Sequence, residues 1–278
     1  MGSDRGAERA RFDRRQVLAA GAAVLAAWLG GCRVPGDAGD PPPTPTTPRT
    51  AGLWRVGCDF TNPPFASIGD DGRPSGRDVE MTQLVAAHLG LSLEWVRLPF
   101  EELLPALEEG RIDAVVATLG ITPERAERVL FSRPYFETTI AVVVRRGVGE
   151  PRALADLAHG TVTAGAGTTA ERAVLQRLGD EVLFAGAKDG ASAAELLVSN
   201  RTDGVALDEP NAVALVRSRP EELRLLPEAL ARERYAIAVG KRSWRTLARI
   251  DEALRALTEA GELARLDAAW GVAEAVRR

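Results

Sequence analysis

Residues 107–118, LEEGRIDAVVAT, decide how this chain is read, because residues 197–208, LVSNRTDGVALD, repeat them about 90 positions later. Each stretch leaves a helical stripe and passes a residue that tolerates a left-handed turn, Gly110 or Asn200. Each then enters an apolar strand. Leu, Arg, Asp and Val recur at matching positions. The spacing is about one small lobe's worth of chain. The first copy ends at Thr118 and runs into Gly120–Ile121–Thr122–Pro123–Glu124–Arg125, and the second ends at Asp208. Ligands of open α/β sheets sit beyond the carboxyl ends of the strands. Two such ends, one cationic and one anionic, imply a cleft for a small zwitterion.

Working outward, the 278 residues suit two modest lobes. Apolar residues make up 45% and charged ones 27%, with a net charge of −4. That balance gives no reason to expect a nucleic-acid partner. The first 50 residues differ from the rest. Arg14–Arg15 enters an apolar run, residues 17–29, too short to span a bilayer, and the run closes at Leu29–Gly30–Gly31–Cys32. This order predicts an export signal over 1–31, either twin-arginine or general secretory, with Cys32 as the lipidated residue. Residues 32–52, rich in Pro and Thr, then form an extended tether at a membrane surface. Only Cys58 follows Cys32, so no disulfide is expected inside the lobes.

Strands and helices alternate over the remainder, the pattern of a parallel sheet. Residues 53–56 read as a strand, and Asn62–Pro63–Pro64–Phe65 as a loop. Asp78 is expected to cap a helix carrying Met81, Leu84, Val85 and His88. A strand follows over 91–95, a short helix at Leu103, Leu104 and Leu107, and a strand at 112–117. Residues 138–144 read as a strand that ends the first lobe. The alternation resumes with strands at 162–164, 182–184 and 203–207, and residues 235–239 carry the chain back. Lobe 1 is therefore expected over 53–143 and 237–278, and lobe 2 over 144–236. The two crossings form a hinge.

From residue 53 to 271 the chain resembles the bacterial extracellular solute-binding proteins of the polar amino-acid import class, family 3. The resemblance rests on motifs in order: Arg55–Val56–Gly57 before Asp59, Pro63–Pro64–Phe65, Gly76–Arg77–Asp78–Val79–Glu80 and Leu104–Pro105–Ala106–Leu107. Then come Gly110–Arg111–Ile112–Asp113–Ala114, Ile121–Thr122–Pro123–Glu124–Arg125, Phe131–Ser132–Arg133–Pro134–Tyr135, Gly167–Thr168–Thr169 and Trp270–Gly271. It implies the two-lobed periplasmic-binding-protein type II fold: α/β, two parallel-core sheets joined by a two-strand hinge. It also implies an amino acid as ligand and the membrane subunits of an ABC importer as partner.

Arg125 is the leading site residue. Thr122 reads as a helix N-cap and Pro123 as its first turn, so Arg125 stands beside unpaired backbone N–H groups, a setting that suits a carboxylate. The alternative is a surface Arg paired with Glu124 or Glu127. By resemblance Arg125 takes the ligand's α-carboxylate. Asp208 ends an apolar strand and either takes the ligand's ammonium or caps the next helix. Thr168 and Thr169 open a helix after a glycine turn, where capping competes with ligand contact. Thr118 and Gly120 match positions of ligand-binding backbone groups, but Gly120 lacks the hydroxyl often found there. Asp59 and Phe100 match pocket positions, against turn-forming and core roles. Asn62 stands where an aromatic is common. Arg77 replaces another aromatic and falls either inside or outside the cleft. This departure points to a ligand with a polar side chain.

No cofactor or metal is expected: His88 and His159 share no ligand pattern, and no nucleophile–base arrangement is evident. Two other readings remain. A dehydratase of aromatic precursors on the same fold would carry an acid a few residues after Asp208, where Pro210 and Asn211 stand. A sensory ectodomain would need a spanning helix and an output domain.

Overall fold

The computed structural model describes residues 51–147 and 149–273. The export signal, Cys32 and the tether up to residue 50 lie outside the described residues. In the first half of the fold, β1 (Leu53–Cys58) is followed by a three-stranded ribbon of β2 (Thr61–Asn62), β3 (Ala66–Ile68) and β4 (Pro74–Ser75). Helix α1 (Arg77–Leu89), β5 (Ser92–Arg97), α2 (Phe100–Glu108), β6 (Ala114–Val115), α3 (Pro123–Arg128) and β7 (Val129–Phe131) come next. The long strand β8 (Phe136–Arg145) leads into β9 (Thr161–Gly165), α4 (Thr169–Arg177), β10 (Leu183–Ala187), α5 (Gly190–Val198), β11 (Gly204–Asp208) and α6 (Glu209–Ser218). The chain returns through β12 (Leu223–Tyr235) and β13 (Ala238–Gly240), and ends its described part with α7 (Trp244–Glu259) and α8 (Glu262–Ala269).

Two five-stranded sheets result, in the orders β5-β1-β6-β13-β7 and β10-β9-β11-β8-β12. In each, two neighbouring pairings are parallel and two antiparallel, so that one strand, β13 or β8, runs against the other four. This is the two-lobed α/β architecture, each lobe built on a sheet with a parallel core. Helices cover both faces of each sheet, with apolar residues such as Met81, Val85, Ile250 and Leu254 against the first. Ala170, Val174 and Leu178 pack on one face of the second sheet.

The sequence repeat is a structural repeat. Gly110 and Asn200 both adopt positive φ, 72° and 58°. In each copy the chain closes its helix by the same pair of bonds: Arg111 N–H to Ala106 O and Gly110 N–H to Leu107 O, Arg201 N–H to Leu196 O and Asn200 N–H to Leu197 O. The recurring aspartate also does the same thing twice. Asp113 accepts from the Arg55 N–H at 2.9 Å and Asp203 from the Thr161 N–H at 2.7 Å, each pinning the neighbouring parallel strand.

Two sequence expectations are corrected. Residues 138–143, assigned to the first lobe, belong to β8, which pairs with β11 and β12 in the second sheet. The first crossing therefore falls near 132–136. There it runs beside the second crossing, with Ser132 N–H bonded to Ile237 O and Tyr135 N–H to Tyr235 O, both at 2.9 Å. Asp78 does not cap α1. The Arg77 and Asp78 N–H groups bond the carbonyls of Pro64 and Phe65 instead, at 3.0 and 2.9 Å. Only glycine allows this approach at position 76, where φ is 136° and a Cβ would stand 2.2 Å from the Phe65 oxygen.

Asp78 is instead buried against Arg77 and accepts from the Tyr135 hydroxyl at 2.6 Å. Arg77 is fully buried. Its guanidinium bonds Asp267 at 2.8 Å and the Tyr135 carbonyl at 3.2 Å, and lies over the rings of Tyr135 and Phe136. Arg77 thus ties α1, the hinge and α8 together, and lies outside the cleft.

Candidate ligand-binding site

The carboxyl ends of β1, β6, β9, β10 and β11 converge on a cavity of about 270 Å³ between the two sheets, small for a pocket that holds an organic molecule. Asp59, Asn62, Phe100, Thr118, Arg125, Thr168, Thr169 and Asp208 all line it. Gly120 does not. The cavity gathers residues from both sheets because each strand end delivers its loop to the same gap.

Arg125 projects from α3, whose first turn is capped by Thr122, with the Arg125 N–H donating to the Thr122 hydroxyl at 3.2 Å. Its guanidinium bonds Gly120 O at 2.9 Å and Gly167 O at 3.0 Å, and lies 5.4 Å from the Phe100 ring centroid. Glu124 is engaged elsewhere, with Arg172 across the cleft. Burial works against the Arg125 charge, and the nearby acids Glu233 and Asp208 partly restore it. The guanidinium is thus held by neutral carbonyls and retains donors for a ligand.

Asp208 occupies the N-cap position of α6 but makes no side-chain capping bond. Desolvation pushes its pKa up to about 6, against the pull of the Tyr235 hydroxyl and the Arg125 charge. Thr168 caps α4 by accepting from the Glu171 N–H and donates to Gly165 O, so its side chain is occupied. Thr169 bonds Glu233 at 3.0 Å. On the first lobe's wall, Asn62 donates to the Thr118 hydroxyl at 2.8 Å. Thr118 turns the chain at φ 45°, an uncommon conformation for a β-branched residue. Asp59 is raised above the ordinary carboxylate range by burial, with Thr61 donating to it.

Several lining residues have no counterpart in the sequence reading. Lys188 and Asp189 sit in the turn between β10 and α5, where Asp189 caps α5 by accepting from the Ser192 N–H. The rule that located Asp208 would also have found them, since they follow a strand's carboxyl end. Asn211 donates to the Pro63 carbonyl across the cleft at 2.6 Å, leaving its buried Oδ1 without a partner. Glu233 lies behind Thr169, only 5% exposed, with its pKa pushed up to about 8 by desolvation and by Asp208. Set between the exposed Arg232 and Arg234, it reads in sequence as one more surface charge.

Two lobes that close a small cavity over opposite charges define a cleft-binding protein. The chain belongs to the family described as bacterial extracellular solute-binding proteins, family 3, whose model matches residues 54–273. It is similar to the L-cystine-binding protein TcyJ of Escherichia coli strain K12, 29% identical over 80% of this chain and 84% of that one. Among solved structures it is similar to an ancestral arginine-binding protein bound to arginine, at 33% identity and a TM-score of 0.74. That match covers 79% of this chain and 98% of the other. An ancestral amino acid-binding protein, a precursor of cyclohexadienyl dehydratase, matches at 26% identity and a TM-score of 0.72, over 79% and 95% of the two chains. Binding a solute in the cleft is accordingly what this fold and family do.

Proposed function

We propose that this protein is the solute-binding component of an ABC importer and closes over an amino acid. One observation carries the reading: an Arg125 guanidinium and an Asp208 carboxylate line the same small cavity, and neither is neutralised by an ion pair among the described residues. Arg125 takes the α-carboxylate. Asp208 takes the ammonium, which offsets the cost of burying its charge. Thr118 and Thr169 complete the zwitterion end, while Asp59, Asn62 and Phe100, with Lys188 and Asn211, face the ligand's side chain. Such a wall favours a polar side chain. The closing bodies are residues 53–135 with 236–273, and residues 136–235. Relatives named for arginine and cystine binding support an amino-acid ligand.

The protein acts by binding, without turnover. Where a dehydratase reading calls for an acid after Asp208, the cleft wall carries the Asn211 amide. We place the protein outside the cytoplasm, exported by its 1–31 signal and held at the membrane by lipid on Cys32. A thermal-shift screen of the twenty common amino acids and L-cystine tests the ligand class, because a ligand specific to the native state raises the melting temperature. No shift with any of them refutes it. Turnover of prephenate or arogenate would refute the non-catalytic reading, and mass spectrometry of the membrane form would decide the anchor.

A further inference from the structure

Gly120 marks a place where the cleft is built unusually. A Cβ on Gly120 would stand 1.8 Å from Glu233 Oε1 and 2.8 Å from Thr169 Cγ2. The Glu233 carboxyl therefore fills the space of the side chain that position 120 lacks. The same carboxyl is 3.0 Å from the Thr169 hydroxyl, and Thr169 lines the cavity. A hydroxyl has a single proton to donate. If Glu233 is ionised, that proton must point back to it, and the cleft meets only oxygen lone pairs. Only if Glu233 is neutral can its own proton go to Thr169, which frees the Thr169 proton to turn toward the cleft.

We propose that Glu233 is a proton-holding positioning residue: its neutral carboxyl sets Thr169 as a hydrogen-bond donor to the ligand carboxylate held by Arg125. This rests on the amino-acid reading of the cleft. The charges around Glu233 favour the neutral form. Asp208 faces it from the end of β11, and Arg125 from α3 supplies a positive charge that Asp208 already shares. The other facing groups, Thr169 on α4 and Thr138 opposite on β8, are uncharged. On its own strand the Tyr235 hydroxyl faces Asp208. Arg172 on α4 is paired with Glu124, and Asp59 and Lys188 enter the cleft from β1 and the β10–α5 turn. A third ionised acid beside a bound carboxylate would be repelled. Desolvation and Asp208 push the Glu233 pKa up to about 8, consistent with a proton held at neutrality.

Two measurements on the intact protein test this. Without ligand, the Glu233 side-chain carboxyl, assigned in carbon-13 NMR by its absence in Glu233→Gln, is expected to titrate near pH 8. In Asp208→Asn its midpoint should fall. A midpoint in the ordinary range of about 4–5 overturns the proposal whatever the cleft binds. With L-arginine as the probe, calorimetric affinity should fall about tenfold between about pH 7 and 9, as for one group that must stay protonated. Glu233→Gln, whose amide still donates to Thr169, should keep the neutral-pH affinity within about threefold and lose that dependence. A variant that follows the wild-type pH profile overturns the proposal. A midpoint near pH 8 with no L-arginine binding at any pH counts against the ligand reading and leaves the proton on Glu233 supported.

Discussion

Gly120→Ala offers a test of the cleft's construction that needs no ligand. The added methyl would meet Glu233 Oε1 at 1.8 Å, Thr169 Cγ2 at 2.8 Å and Glu233 Cδ at 2.9 Å. Glu233 is buried and tied to Thr169, so the crowded carboxyl has little room to withdraw. Overpacking of a filled interior costs about 1–3 kcal/mol. Gly120 does not sit in the left-handed region, so alanine also recovers about 0.4–1 kcal/mol through the unfolded chain. A net loss of about 1–2 kcal/mol is expected. In a Glu233→Ala background the carboxyl is gone and Thr169 is free to rotate, so the same substitution should be close to neutral. The double-mutant cycle then yields a coupling of about 1–2 kcal/mol, as contacting residues give. Urea denaturation of the four ligand-free proteins near pH 7, with unchanged m-values, measures it. Equal cost of Gly120→Ala in both backgrounds would refute the placement of the carboxyl.

Arg125→Ala should weaken ligand binding by roughly 2–5 kcal/mol, the usual loss when one partner of a buried charge pair is truncated; calorimetry giving less than tenfold would put the guanidinium outside the site. Asp208 has a raised pKa of about 6 without ligand, and a bound ammonium would lower it. Affinity should therefore fall as pH drops through about 6, with proton release on binding, and Asp208→Asn should flatten that limb. A pH dependence unchanged in the variant removes the ammonium assignment. Asp78→Ala should cost about 1–3 kcal/mol of stability, because it leaves the buried Tyr135 hydroxyl without its acceptor while Arg77 keeps its bond to Asp267. A loss below about 0.5 kcal/mol by denaturant titration would mean that the Tyr135 hydroxyl does not depend on Asp78.

What the sequence makes legible is local. The two helix-to-strand turns are readable because Gly110 and Asn200 announce left-handed geometry and the strand after each is apolar. Arg125 is readable because Thr122 and Pro123 announce the helix that carries it, and Asp208 because it closes an apolar strand. What it hides depends on distant partners. β8 looks like any apolar strand, and only its pairing with Val205 and Leu207 about 60 residues on reveals which sheet it joins. β12 carries Pro227 and many Glu, Ala and Arg residues, poor strand formers. It is tolerated as an edge strand with register shifts between Leu225 and Ala231. Asp78 sits where a capping residue is common, yet the Phe65 carbonyl reaches that helix end first. Glu233 and Gly120 are 113 residues apart, and nothing in either neighbourhood says that one fills the other's space.

The contacts that close the cleft and those left for a ligand belong to the same residues. Arg125 bridges Gly120 O in the first lobe to Gly167 O in the second, and Asn211 reaches from α6 to the Pro63 carbonyl. Carbonyl oxygens orient a guanidinium and satisfy part of its hydrogen-bonding capacity, but they do not cancel its charge. Asp208 is in the mirror situation, faced by a neutral hydroxyl and spared from capping. A structural ion pair would have brought the two together; here Arg125 is held by two carbonyl oxygens and Asp208 faces the Tyr235 hydroxyl, and each is left short of an opposite charge. A zwitterion supplies both charges at once, and it does so only when the lobes are together. A simple anion would leave Asp208 uncompensated, and a simple cation would leave Arg125 so. If the cleft takes a zwitterion as proposed, closure and selection of the ligand's two charged ends are one event, served by the same two side chains.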